Sequence, residues 1–456
     1  MWQPRLDPSA MRYMAIADAI HRDVRAGMLA PGDALPTHRE LAERLGVTVG
    51  TVTRGYAEAA RRGLVRGETG RGTFVAGRPG QPGREWVEVG GSGIIEMGMN
   101  LPLEAFSPAL GPTLARLAGN ADLEQLLRYQ TPEGLLRHRE AGAAWVARHG
   151  LAVSPEHVLV CSGAQHAMLV ALAGVFRPGD RVGVECLTYP PLKTIARQFQ
   201  LRLVPLPMDE RGLDTDALER LLGHTELRGL YVQPGCHNPT TATLCESRRQ
   251  HLCDLAQRHR LRIVEDDAYG LTVDHGLPPL AARLPEQTAF IVSTSKMLCG
   301  GLRVGYLASP RRWLPWFRRG LMASTWMTAP LMAEIASEWI FGSTAERVLE
   351  AKRAEARARN TLAREVLAGL TLHARPGGHF LWLELPEPWR GMELVQAALD
   401  QDVAVAAAES FAVGQGGAAQ AVRLSLSGPR DADELRRGLG VLTELLSGSA
   451  PGEAIL

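Results

Sequence analysis

Apolar positions near the start of the chain recur at helical spacing: Tyr13, Ile16, Ile20 and Val24 trace one face of a helix, and Gly27 follows as a stop. The next run, LPTHRELAERLGVTVGTVTRGYAEAARRGLV, predicts two short helices joined by a tight turn. Thr37 and Glu40 form a capping box ahead of the inward-facing Leu41 and Leu45, Gly46 closes that helix, and Thr48 caps a second one carrying Val52, Tyr56 and Ala59. Beyond Gly63, LVRGETGRGTFVA holds two short β-type runs about a glycine-rich turn, the pattern of a hairpin. Residues 78–93, RPGQPGREWVEVGGSG, are rich in Gly and Pro and sustain no period, as a linker would.

From residue 94 the pattern changes. Short apolar runs (HVLVCSG, RVGVECLTYP, RGLYVQPG, RIVEDDAYG, AFIVSTSK) alternate with helical stretches such as AQHAMLVALAGVF. Strands separated by helices predict a mostly parallel sheet covered on both faces, with ligands bound beyond the carboxyl ends of the strands. The polar clusters SGAQ, LTYP, CHNP, EDDAY and STSK each follow an apolar run, which puts them at those ends. The expected organisation is a helical unit over residues 1–77, a linker over 78–93, and an α/β unit over 94–456.

Composition narrows the class. The chain has 456 residues, 45% hydrophobic and 22% charged, with a net charge of +1, so it is globular and carries no global field for a polyanion. The first segment has a local excess of basic residues: eleven Arg against eight Asp and Glu. Six cysteines form no CxxC pair, and no run of 18 apolar residues or basic-then-apolar leader occurs. These features point to a reducing, cytoplasmic setting with no membrane span. Lysine stands only at Lys193, Lys296 and Lys352, so nearly all of the 50 basic residues are arginine.

That bias makes Lys296 in STSKMLCGGLRVGYL a candidate for chemistry that arginine cannot perform, since only a deprotonatable amine can attack a carbonyl and form a Schiff base. Ser293, Ser295 and Arg303 flank it and could hold a phosphate within its reach. Gly163 and Ala164, at a strand-to-helix turn, offer backbone N–H groups to the same kind of group. Asp266, after LRIV, is a carboxylate in a poorly solvated cleft and calls for a cation. In QAVRLSLSG, Val422, Leu424 and Leu426 face one way and Arg423 the other, an inward arginine suited to clamping a carboxylate.

The order LP, RELAxxLGV, TV, GLV and GRGTFV over residues 10–76 resembles the GntR-type winged helix-turn-helix. The resemblance implies double-stranded DNA as a partner. Arg39 would hold a phosphate, Thr37 would be among the DNA-binding residues, Thr48, Thr51, Thr53 and Arg54 would lie on or near the helix face that reaches DNA, and Arg71 and Gly72 at the wing. Val49 stands where the family often has arginine; valine can touch a thymine methyl but cannot read guanine. A helical module for protein contacts would share the helix spacing, but not the wing.

Residues 94–445 resemble the fold-type I aminotransferases that use pyridoxal 5′-phosphate. The resemblance implies an internal aldimine on Lys296, with Asp266 paired to the pyridinium nitrogen and Asn238 and Tyr269 at the phenolic oxygen. Tyr189 would stack on the ring, while Gly163, Ala164, Gln165, Ser293, Ser295 and Arg303 hold the phosphate. Tyr129 would reach the phosphate of a neighbouring subunit, implying a homodimer. Arg423 would take an α-carboxylate, and Asn100 in GMNLP would line the substrate side. It also implies a smaller C-terminal α+β subdomain, roughly residues 330–456 together with 94–120. No metal is implied. Thr241, Pro191 and Gly300 depart from the pattern, where Gly, a small residue and Pro are usual; they bear on backbone shape near the cofactor more than on the reacting groups.

The two resemblances in this order are those of the MocR subfamily of transcription regulators. They imply a dimer, head-to-tail, that senses pyridoxal phosphate or an amino acid or amine effector through Lys296. The alternatives are an aminotransferase acting on an amino acid, with the DNA-binding module secondary, and a DNA-binding protein that holds the cofactor only structurally.

Overall fold

The computed structural model describes residues 2, 4, 11–25, 28–29, 33–61, 64–68, 72–75, 93–120, 122–273, 276–414 and 419–448. Gly27, Gly63, Arg71 and all of the expected linker except Gly93 lie outside these residues. The chain divides into two compact units, Met1–Gly93 and Ile94–Leu456.

The first unit is built on three helices and a hairpin. Helix α1 (Arg12–Arg25) buries Ile16 and Ile20 against α3 (Val49–Arg61), whose Val52, Tyr56 and Ala59 face the same core. The two helices approach closely at Gly55, where a Cβ would meet the Ile16 side chain at 3.0 Å. Helix α2 (His38–Leu45) begins with the expected reciprocal cap: Thr37 Oγ1 accepts the Glu40 N–H, and the Glu40 carboxylate accepts the Thr37 N–H. It ends at Gly46, which has φ of 61°. Thr48 accepts the Thr51 N–H at the start of α3. Strands β1 (Val65–Glu68) and β2 (Gly72–Val75) pair antiparallel as the hairpin.

The second unit is organised by seven strands: β3 (Val158–Cys161), β4 (Arg181–Glu185), β5 (Arg202–Leu206), β6 (Gly229–Val232), β7 (Arg262–Asp266), β8 (Thr288–Ser293) and β9 (Gly305–Ala308). Their order is β3-β9-β8-β7-β6-β4-β5, parallel except for β9, which runs antiparallel to both neighbours. β8 is buried along its whole length because its two faces enter different cores: Phe290 and Val292 one with Trp145, Tyr306 and Trp339, and Ala289 and Ile291 another with Tyr231, Leu307 and Phe317. Helix α4 (Ala164–Val175) follows β3 directly and buries its apolar side in the second of these cores.

A four-stranded antiparallel sheet follows, from β10 (Leu372–Ala374), β11 (Phe380–Glu384), β12 (Ala406–Ala407) and β13 (Ala421–Ser425), in the order β10-β11-β13-β12. Leu381, Leu383, Val422 and Leu424 share a core with Leu435, Leu439 and Met97. The long helix α5 (Thr344–Val366) bridges the layers: Val348 and Leu349 belong to the large-sheet core, and Leu362 and Ala363 to this one. Ile95–Glu96 pairs with Val403–Ala404, while Leu117 packs with the large sheet.

Candidate functional site

The carboxyl ends of β3, β7 and β8 bring the predicted groups together. Gly163 caps the N-terminus of α4 with φ of 86°. The backbone there leaves no room for larger residues: a Cβ on Gly163 would lie 2.7 Å from Arg303 Nη2, and one on Gly305 would lie 2.7 Å from the Gly163 carbonyl carbon. Arg303 itself has φ of 52°, which turns its side chain back over the helix start. Ser293 Oγ accepts the Ser295 N–H (2.9 Å), and Ser295 Oγ is buried with no hydrogen-bond partner among the described residues. Ala164 is half-buried and Gln165 exposed at the same turn. The Gly163 N–H, expected to face a phosphate, is taken by the Cys161 carbonyl (2.8 Å), so the N–H groups on offer are those of the first helical residues, Ala164 and Gln165; together with a guanidinium and an orphaned hydroxyl they fit a phosphate.

Asp266 ends β7 fully buried. Its Oδ2 accepts the Tyr231 hydroxyl (2.7 Å), whereas Oδ1 has no partner among the described residues. Burial pushes its carboxyl up to about 6, the Tyr231 hydrogen bond opposes that shift, and the neighbouring Asp267 adds to it. A buried carboxylate with one satisfied oxygen is the partner that a protonated ring nitrogen requires. Behind it, Gln233 Nε2 donates to the Tyr231 hydroxyl (2.9 Å), and Gln233 Oε1 accepts the Asn238 N–H (2.9 Å).

Lys296 lies beside this network, with Nζ donating to the Asn100 carbonyl. Burial, then the positive charges of Arg423, Arg303 and Lys352, lower its amine to about 8. Tyr269, also buried, receives Asn100 Nδ2 on its hydroxyl (3.1 Å). Tyr189 is half-buried just before the helix Pro190–Gln198. Asn238 Oδ1 accepts Arg423 Nη1 (2.8 Å), and Arg423 Nη2 donates to the Gly98 carbonyl. The Arg423 guanidinium is held over the Phe411 ring at 4.8 Å, and its Nε is unpartnered among the described residues. It sits on β13 opposite Trp382, on the face away from Val422 and Leu424.

Tyr129 is not part of this cluster within one chain. It is 85% exposed and packs edge-on against Trp326, at 6.1 Å between ring centroids.

Four groups at or near the site escaped the sequence reading: Tyr231, Gln233, Lys352 and His379. Lys352 is fully buried on α5, and its Nζ donates to the carbonyls of Leu298 (2.9 Å) and Lys296 (3.4 Å). Tyr231 and Gln233 carried a usable signal, since residues two apart on a strand point to the same side, here toward Asp266 on the adjacent β7.

On the first unit, the exposed side of α3 presents Val49 (45% exposed), Thr53 and Arg54. Thr53 Oγ1 donates to the Val49 carbonyl (3.0 Å) and meets His38 Nδ1 (3.1 Å), and the Arg54 guanidinium lies 4.5 Å over the Tyr13 ring. Thr37 and Thr48 cap their helices, the Thr48 and Thr51 hydroxyls hydrogen-bond to each other (2.9 Å), Arg39 is exposed, and Gly72 opens β2 with φ of 125°. No helix of the described residues is long and apolar enough to cross a membrane, and none of their acidic, His and Cys side chains gather as a metal site.

Residues 93–442 match the family of class I and II aminotransferases, and residues 12–75 match the gntR family of bacterial regulatory proteins. The chain is 33% identical to the uncharacterized HTH-type transcriptional regulator YdeF of Bacillus subtilis (strain 168), over 98% of this chain and 96% of that one. It is 30% identical to the HTH-type pyridoxine biosynthesis transcriptional regulator PdxR of Corynebacterium glutamicum, over 65% of each. Among solved structures it is similar to the α-aminoadipate aminotransferase LysN of Thermus thermophilus, complexed with N-(5′-phosphopyridoxyl)-L-leucine. That match has a TM-score of 0.71 and 26% identity, covering 79% of this chain and 95% of LysN.

Proposed function

The chain belongs to the class I and II aminotransferase family and carries a gntR-family DNA-binding domain ahead of it, and from that premise we propose a cytoplasmic transcription regulator that binds operator DNA as a homodimer and responds to an amino compound. Pyridoxal 5′-phosphate is the cofactor of its larger unit. When bound, the cofactor supplies an aldehyde open to amines and a protonated aromatic ring that draws electron density.

The chain's own groups divide the remaining work. Ser293, Ser295, Gly163, Ala164, Gln165 and Arg303 hold the phosphate. Asp266 Oδ1 would accept the ring N–H of the bound cofactor, Tyr189 would cover the ring, and Asn238 and Tyr269 would address its oxygen. Lys296 provides the amine, and its lowered proton affinity keeps a usable fraction uncharged near neutral pH. Arg423, with Asn100 beside it, receives the carboxylate of an amino acid. The partner subunit's Tyr129 closes the phosphate side. Thr37, Arg39, Thr48, Thr51, Thr53, Arg54, Arg71 and Gly72 serve the DNA. An effector shifts the arrangement of the two DNA-binding heads only as far as its affinities for the two arrangements differ.

The observation that carries this reading is the half-satisfied Asp266 carboxylate standing with Lys296 in a chain that also bears a winged helix. The test is retention of the DNA upstream of the chain's own coding region, at several salt concentrations, with and without pyridoxal phosphate and a panel of amino acids. Specific, salt-sensitive retention altered by the ligands is expected; its absence under every condition sinks the regulator. The presence of Lys296, Asp266 and Tyr269 in one site favours a second activity, transamination, which single-turnover conversion of an added amino acid would reveal.

A further inference from the structure

Of the buried polar side chains near this site to which none of these roles falls, Tyr231, Gln233 and Lys352 are hydrogen-bonded, whereas His379 has both ring nitrogens without a hydrogen-bond partner among the described residues. It precedes β11, and its carbonyl accepts the N–H groups of Leu426 (2.8 Å) and Ser427 (3.2 Å), which ties it to the strand that carries Arg423. From α5, Asn360 Nδ2 donates to the Gly378 carbonyl (2.7 Å) and fixes the same turn. The ring is 1% exposed, stands 5.8 Å from the Tyr269 ring, and has no hydrogen-bond partner on either nitrogen among the described residues.

Burial first, then the positive charges of Lys296, Lys352 and Arg359, hold the imidazole down at about 3; of these cations Arg359 is itself paired with Glu355 (2.7 Å). The ring is therefore neutral, with one donor and one acceptor nitrogen, and burying both unpaired is unfavourable. The other orphaned atoms near Tyr269 already have takers. Asp266 Oδ1 and Ser295 Oγ would be met by the cofactor and Arg423 by a carboxylate, which leaves the Asn100 and Asn360 Oδ1 atoms, both acceptors, and the two His379 nitrogens, one of which carries the only N–H among these four.

We infer that His379 is the recognition point for the distal end of the effector, which carries a hydrogen-bonding oxygen (hydroxyl, carboxamide or carboxylate) that accepts the imidazole N–H. Surrounding cations favour an acceptor oxygen at that place over a hydrocarbon or a second ammonium group. The inference rests on the reading that this site takes an amino compound beside pyridoxal phosphate.

The experiment uses the full-length chain loaded with pyridoxal phosphate and titrates its visible absorbance band with near-isosteric amino acid pairs: threonine and valine, asparagine and leucine, glutamine and methionine. In the native chain, at least one oxygen-bearing member should perturb the band at about 10-fold lower concentration than its partner, the usual scale for a hydrogen bond met or left unmade at a built site. His379→Leu should keep the cofactor band and bring that ratio close to one, and His379→Gln, which retains a donor and an acceptor, should recover part of it. Equal responses within every pair in the native chain, as a water at this place would give, overturn the inference. So does a ratio that survives in His379→Leu. A native chain showing no cofactor band overturns the underlying site reading, and the inference with it.

Discussion

A primary amine must be uncharged to attack a carbonyl, and at this site that requirement falls on Lys296. Its amine is lowered to about 8, so the rate at which the cofactor-free chain captures pyridoxal phosphate should rise with pH to a midpoint near about 8 rather than at lysine's ordinary value. Stopped-flow absorbance over a pH series measures this, and a midpoint above 10 or a rate indifferent to pH would refute it; Lys296→Ala should capture none. Lys352 is lowered to about 8 as well, by its burial first. The folded chain thus holds these two protons less tightly than the unfolded chain, and unfolding free energy should climb as pH rises from about 8 toward lysine's ordinary range. The places of Lys296, Asp266 and Arg303 were legible in the sequence because each ends or follows an apolar strand whose carboxyl end opens on the site, and because lysine is rare in this chain. Lys352 and His379 were not, because what defines them is burial against chain segments 54 and 110 residues away, the Leu298 carbonyl and the Tyr269 ring.

Elements were legible where their ends carry local chemistry. The capping box at Thr37 and the left-handed Gly46 fix α2 by contacts within a few residues. Thr37→Ala should accordingly cost about 1 kcal/mol, seen as a lower thermal midpoint of the first unit with the second unchanged. Close approach between elements distant in sequence was not legible, and Gly305 shows why. Its need for hydrogen in place of Cβ comes from Gly163 and Ala164, which lie on a different strand-to-helix turn. Gly305→Ala must push β9 away from the start of α4, and should weaken pyridoxal phosphate retention by about 1–3 kcal/mol of overpacking, measured by equilibrium dialysis. Unchanged retention would show that the cradle does not depend on this contact. Thr241 illustrates the converse. The residue at the usual glycine position was expected to bear on backbone shape; it is a β-branched residue at φ of 64°, a left-handed conformation that costs about 1–2 kcal/mol for a non-glycine residue, and its N–H donates to the His237 carbonyl (2.7 Å).

At the scale of the whole molecule, Tyr129 offers the test of how many chains make one site. Its side chain is 85% exposed and packs edge-on against the half-exposed Trp326, which leaves it open to a neighbouring chain. If the partner subunit's Tyr129 completes each cradle, a Lys296→Ala chain lacks its own amine but still lends Tyr129, and a Tyr129→Ala chain lacks the tyrosine but keeps Lys296. Each variant alone should bind pyridoxal phosphate poorly or not at all at limiting cofactor. Equal amounts mixed and allowed to exchange subunits produce dimers of which about half are mixed. Each mixed dimer carries one intact site, so about a quarter of the native visible band should return above the sum of the separate variants. Tyr129 acting within its own chain would return nothing, because every site would then lack either the amine or the tyrosine.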